Sequence, residues 1–159
     1  MIVRSHAAFG GQAIVIIGQE PWQFKKRAQA FSRHLERLCT FMYLPNEGAF
    51  FEWCRSEDII PVAVEIADPP LFLPGATFPE RTALVIGNER TGLGGNFLAK
   101  CQQVVTIPQF GPVGCLNAAA AAVVAMYEIT RLCDVELSIG GGKYLVDESG
   151  DAASQSTSA

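Results

Sequence analysis

Apolar positions along the chain fall in short, β-rich runs separated by stretches with helical spacing. Ala13 to Ile17 (AIVII), Cys39 to Leu44, Ile59 to Ile66, Ala83 to Ile86 and Val104 to Ile107 predict five strands, apolar nearly throughout rather than alternating. Between Trp22 and Leu38, the residues Phe24, Ala28, Phe31, Leu35 and Leu38 recur roughly on one face, which predicts an amphipathic helix. Glu47 to Arg55 predicts a short, aromatic-rich helix, and Asn117 to Leu132 the longest helix of the chain. Strands apolar on both faces and separated by helices imply a parallel sheet covered on both sides. The expected fold class is therefore α/β, a mostly parallel sheet flanked by helices. Asp68 to Glu80 carries Pro69, Pro70, Pro74 and Pro79 and reads as a loop. From Ser138 onward glycine, serine and alanine dominate, so residues 138–159 read as a flexible tail behind one domain of residues 1–137.

Composition narrows the function classes. The 159 residues are 49% hydrophobic and 18% charged, which fits one globular domain with a real core. A net charge of −4 supplies no global attraction to nucleic acid, so any RNA-binding surface must be local. The five cysteines, Cys39, Cys54, Cys101, Cys115 and Cys133, include no Cys-x-x-Cys pair. A disulfide framework or zinc site is not expected, no metal is implied, and a reducing cytoplasm fits best. The longest apolar run, Ala118 to Met126, is too short to span a bilayer, and no membrane association is expected.

Ligands of parallel sheets bind at the carboxyl ends of the strands. Two such ends carry unusual loops. The fourth predicted strand runs into "IGNERTGL", with Asn88, Glu89 and Arg90 at the lip of a glycine-bearing turn. No Gly-Lys-Ser/Thr follows, and Glu89 would repel a phosphate, so the turn is not a phosphate cradle. The fifth strand breaks at Pro108 and loops through Gly111, Pro112 and Gly114 into the last helix, with Asn117 placed to cap it. Spacing alone leaves two ordinary turns and a capped helix as an equal reading.

Taken together, "LVIGNERTGL" and "IPQFGPVGCLNAAAAAVVAMYE" resemble the second and third signature motifs of the SpoU–TrmH family of SPOUT-type RNA ribose 2′-O-methyltransferases. "IVRSHAAFG", residues 2–10, resembles the end of the first motif and puts Arg4 on its arginine. The resemblance covers roughly residues 2–133. Gln109 stands where the family usually has methionine, and Cys115 where it has serine. The family's strand and Asn-x-Gly segment before the arginine are not matched, because only three residues precede Arg4. The chain therefore reads as a minimal, amino-terminally short member without the family's accessory RNA-binding domain.

The resemblance implies a carboxyl-terminal trefoil knot, with S-adenosylmethionine held in the knotted crevice. Gly87, Asn88, Ile107, Cys115 and Leu116 would line the cofactor site, with Val64 and Glu65 at the third strand's end as further members. Arg4 inherits the catalytic position near the ribose hydroxyl, with Glu89 and Asn117 as orienting partners. A guanidinium keeps its proton far above neutral pH, so Arg4 is expected to orient phosphate and ribose. Lys25, Lys26, Arg27 and Arg33 would contact RNA phosphates, although the same charges also suit a solvated helix face. A homodimer through the knot region and the last helix is implied, as is an RNA substrate, tRNA rather than rRNA. Two other functions also fit the sequence. One is a catalytically silent SPOUT-fold protein that binds cofactor or RNA without turnover. The other is a Rossmann-like nucleotide-binding protein, disfavoured because "FGGQ" precedes a strand instead of following one.

Overall fold

The structure, a computed structural model, describes residues 2–18 and 39–132. The basic helix expected between Trp22 and Leu38, with Lys25, Lys26, Arg27 and Arg33, and the tail lie outside these residues.

In chain order the elements are α1 (Ile2–Ala8), β1 (Ala13–Ile17), β2 (Thr40–Leu44), α2 (Glu47–Ser56), β3 (Ile60–Val64), β4 (Leu71–Phe72), β5 (Thr82–Ile86), α3 (Gly95–Leu98), β6 (Gln103–Thr106) and α4 (Ala118–Leu132). All described strand pairs are parallel. β1 pairs with β2, Ala13 opposite Thr40. The other four strands form a sheet in the order β4-β6-β3-β5. In that sheet Ile60 faces Thr82, Val62 faces Gln103 and Leu71 faces Val105. Pro61 lies in a central strand, where a missing N–H usually breaks the ladder. It is accommodated because pairing with β6 begins one residue later, at Val62.

Alternation along the strands feeds two cores, as an apolar strand between helical layers requires. Val62, Val64, Val105, Leu84 and Ile86 pack with Ala121 and Ala125 of α4. Ala83 and Val85 pack with Phe50, Phe51 and Cys54 of α2 and Phe97 of α3, joined by Val15, Ile17 and Leu44. The Phe97 ring stacks on Phe50 at 5.8 Å between centroids and lies 4.7 Å from Phe51. Small residues in α4 matter here: Ala122 and Ala125 are buried, so the helix lies close on the sheet. α1 packs against α4, with Phe9 edge-on to Tyr127.

The proline-rich segment differs from its expectation as a loop. Leu71–Phe72 adds an edge strand beside β6, and Leu73–Gly75 forms one 3₁₀ turn. The apolar residues between the prolines drive this, since Leu73 and Ala76 are buried in the α4-side core. Ile2–Ala8, whose first residues carry no recognisable helical period, is a helix. His6 is buried on it, and a ring nitrogen bonds the Ala13 carbonyl at 3.0 Å, tying α1 to β1.

Candidate active site

Because β3, β5 and β6 are parallel neighbours, their carboxyl ends open on the same edge of the sheet. The segments that follow them line one cleft of about 190 Å³. β3 contributes Val64, Glu65 and Ile66; the turn after β5 contributes Gly87, Asn88, Glu89 and Gly92; the segment after β6 contributes Ile107, Gln109, Cys115 and Leu116. Ile86 and two α4 alanines, Ala118 and Ala121, complete the walls. Every cofactor-site residue expected from sequence is therefore in one cleft. Among the described residues the lining includes two carboxylates, Glu65 and Glu89, and no lysine or arginine.

The turn after β5 is closed by its own backbone. The Gly92 N–H donates to the Asn88 carbonyl at 2.8 Å, and the Arg90 N–H donates to Asn88 Oδ1 at 2.9 Å. Asparagine suits this position because its side chain can accept from the backbone two residues on. A Cβ on Gly87 would stand 2.6 Å from the Gly92 carbonyl carbon and 2.8 Å from the Leu93 nitrogen. The demand for glycine at 87 thus comes from the turn folding back on itself. Gly92 has φ +62°, a left-handed conformation that glycine adopts without a Cβ penalty.

Asn117 joins the two loops. Its Oδ1 accepts the Ala119 N–H at 2.9 Å and, more weakly, the Ala120 N–H at 3.4 Å, so it caps α4 as its sequence position implies. Its Nδ2 donates to Glu89 Oε1 at 3.3 Å. The two residues expected to act as orienting partners are therefore in contact. Arg4 is not among the cleft residues; it is exposed on α1. Cys115 lines the cleft yet is exposed.

Sequence reading missed Thr106. This buried hydroxyl, the last residue of β6, donates to the Glu65 carbonyl at 2.9 Å and accepts the Ala67 N–H at 3.1 Å. It fixes the departure of the chain from β3 relative to β6. A lone threonine ending an apolar strand was its only signal. Among the described residues no group of His, Cys, Asp or Glu could hold a metal ion, and no helix is long and apolar enough to cross a membrane.

A parallel α/β sheet with a carboxylate-lined cleft between glycine-bearing turns defines a ligand-binding domain of the α/β class. Comparison with known proteins identifies its family: residues 1–127 match the SpoU rRNA methylase family, and the chain belongs to it. It is similar to the 23S rRNA (uridine(2479)-2′-O)-methyltransferase of Streptomyces viridochromogenes, at 26% identity over 82% of this chain and 47% of the relative. The crystal structure of the SpoU methyltransferase AviRb from Streptomyces viridochromogenes in complex with its cofactor AdoMet superposes with a TM-score of 0.73. It is 26% identical and covers 82% of this chain and 53% of that one. A structure concerning 2-OH methylation of C/U34 on tRNA is 27% identical with a TM-score of 0.64, over 82% of this chain and 84% of that one. The chain spans about half the length of the Streptomyces relative.

Proposed function

We propose that this chain is an S-adenosylmethionine-dependent RNA methyltransferase that methylates a ribose 2′-hydroxyl, with tRNA favoured over rRNA. The observation that carries the reading is the lining of the cleft: apolar walls and two carboxylates, with no cationic side chain among the described residues. S-adenosylmethionine fits this set. Its adenine needs an apolar slot, offered by Ile86, Ile107 and Leu116, and its sulfonium and ammonium suit a site bearing Glu89. A nucleotide polyphosphate would meet two carboxylates, with no lysine or arginine among the described lining residues to neutralise it. When bound, the cofactor supplies an electrophilic methyl group.

What the chain itself must do is align and orient. Gly87 and Gly92 hold the 87–93 turn against the cleft. Asn117 restrains the Glu89 carboxylate at the mouth, where the ribose hydroxyl must enter. Arg4, outside the lining, is assigned to the RNA, orienting phosphate and ribose. Lys25, Lys26, Arg27 and Arg33 are assigned to the RNA backbone, where charge dominates affinity. The family's trefoil knot is assigned to the two loops that Asn117 and Glu89 connect. Relatives of both kinds are matched, an rRNA methyltransferase at 26% identity and a structure concerning tRNA methylation at 27%, so both RNAs are tested as substrates. The four described cysteines are free, which supports a reducing, cytoplasmic setting.

The test is transfer of a labelled methyl group to unmodified tRNA and rRNA transcripts, followed by nucleoside mass spectrometry. A 2′-O-methylated nucleoside from tRNA is expected. Arg4→Ala and Glu89→Ala should lower the rate about 100-fold or more while S-adenosylmethionine still binds. Binding by the unaltered chain with no transfer to either RNA would instead favour the silent SPOUT-fold reading.

A further inference from the structure

Glu65 touches all three strand ends that build the cleft. Its carboxylate Oε2 accepts the Leu93 N–H at 2.9 Å, reaching the turn after β5. Oε1 accepts the Ile66 N–H at 3.0 Å. Its carbonyl receives the Thr106 hydroxyl at 2.9 Å, and its N–H donates to the Val105 carbonyl at 3.1 Å, both on β6. The other hydrogen bonds of the 87–93 turn, from Gly92 and Arg90 to Asn88, are internal to it. The Asn117–Glu89 bond that leaves the turn is exposed and long at 3.3 Å. Among the described residues, the partly buried bond to Glu65 is thus the side-chain hydrogen bond that ties the far end of the turn back to the third strand, beside its link to β5 and the packing of Leu93.

Gly92 shows how close that fastening is. A Cβ there would stand 2.6 Å from Glu65 Oε2. Glycine is needed at 92 for its positive φ and again so that the carboxylate can reach the next N–H.

We infer that Glu65 is a positioning residue: its carboxylate braces the 87–93 turn at the depth in the cleft that cofactor binding requires, and it does not act as a ligand of the cofactor. The inference rests on the S-adenosylmethionine reading above. Charge and reach separate the two roles. Asp keeps the charge but is one methylene shorter, so it cannot span to Leu93. Gln loses the charge but keeps the length and one carbonyl acceptor.

The experiment is calorimetric titration of S-adenosylmethionine into the unaltered chain and into Glu65→Asp, Glu65→Gln and Glu65→Ala. Turnover at saturating cofactor and the hydrogen-exchange rate of the Leu93 amide are measured beside it. The brace predicts affinity at least about tenfold weaker in Glu65→Asp and Glu65→Ala and within about threefold in Glu65→Gln. It also predicts, in Glu65→Asp and Glu65→Ala only, lost Leu93 protection and a lower kcat at saturation, because Glu89 rides on the braced turn. Glu65→Asp binding like the unaltered chain while Glu65→Gln matches Glu65→Ala would overturn it, since charge on the cofactor would then be the role. Unaltered affinity in all three would also overturn it. If Glu65→Ala does not fold, the Asp and Gln pair decides. Failure of the unaltered chain to bind the cofactor would refute the functional reading instead, and Leu93 exchange would then judge the brace by itself.

Discussion

Cys101 shows how a residue's surroundings set its chemistry. Its thiol donates to the Phe97 carbonyl at 3.6 Å, and burial, with Cys54 nearby, pushes its pKa from 9.0 up to about 11. Burial raises Cys54 as well. The folded form therefore holds a proton that the unfolded form gives up near pH 9. Folding stability on this account is flat below pH 9 and falls as pH rises from about 9 to about 11. Urea midpoints measured across that range should decline, and less so in Cys101→Ala. Cys115 is different, exposed at the cleft where the family has serine. Because a thiol is a weaker donor than a hydroxyl, Cys115→Ser should leave S-adenosylmethionine affinity equal or raise it up to about tenfold. A large loss in that variant would show that sulfur itself is used. At this scale the sequence carried most of the cleft, because Gly87, Asn88, Glu89, Ile107, Cys115 and Leu116 sit in two contiguous motifs. It did not carry Thr106 or the bracing bonds of Glu65, because those depend on which strands are neighbours.

Among elements, α4 connects stability to the site. Asn117 ends one loop, caps the helix and restrains Glu89. Asn117→Ala should cost about 1 kcal/mol of stability from the lost cap and leave Glu89 unrestrained. Urea denaturation checks the first effect; a methyl-transfer rate falling further than affinity checks the second. An unchanged midpoint would mean that water replaces the cap. Strand positions were legible because β3, β5 and β6 are apolar on both faces. β4 was hidden by its prolines, and its Leu71–Phe72 pairing depends on β6, distant in sequence. α1 was hidden by brevity, since seven residues carry too few turns for a period to emerge. What holds it is tertiary: His6 against β1 and Phe9 against Tyr127.

At the scale of the molecule, the described residues leave apolar surface on the outer face of α4. Val124, Tyr127 and Leu132 are 40%, 57% and 46% exposed at helical spacing. The homodimer that the family resemblance implies would cover this face. Sedimentation should give a dimer for the unaltered chain and a monomer for Val124→Glu, the charge being costly in an apolar interface. A monomer in both would refute the dimer. Topology was legible only as a class, a parallel sheet covered on both sides. The strand order β4-β6-β3-β5 was not, because hydrophobic patterning states which faces are buried and not which strands pair.

We propose above all that the cleft between the 87–93 and 107–117 loops holds S-adenosylmethionine. Titrating the cofactor into the unaltered chain and into Gly87→Ala, with circular dichroism of both, tests it most directly. A methyl group at 87 would collide with the Gly92–Leu93 backbone and displace the turn that lines the cleft. Saturable binding to the unaltered chain and binding weaker by about tenfold or more to a folded Gly87→Ala are expected. Equal binding by both, or none by a folded unaltered chain, would contradict it.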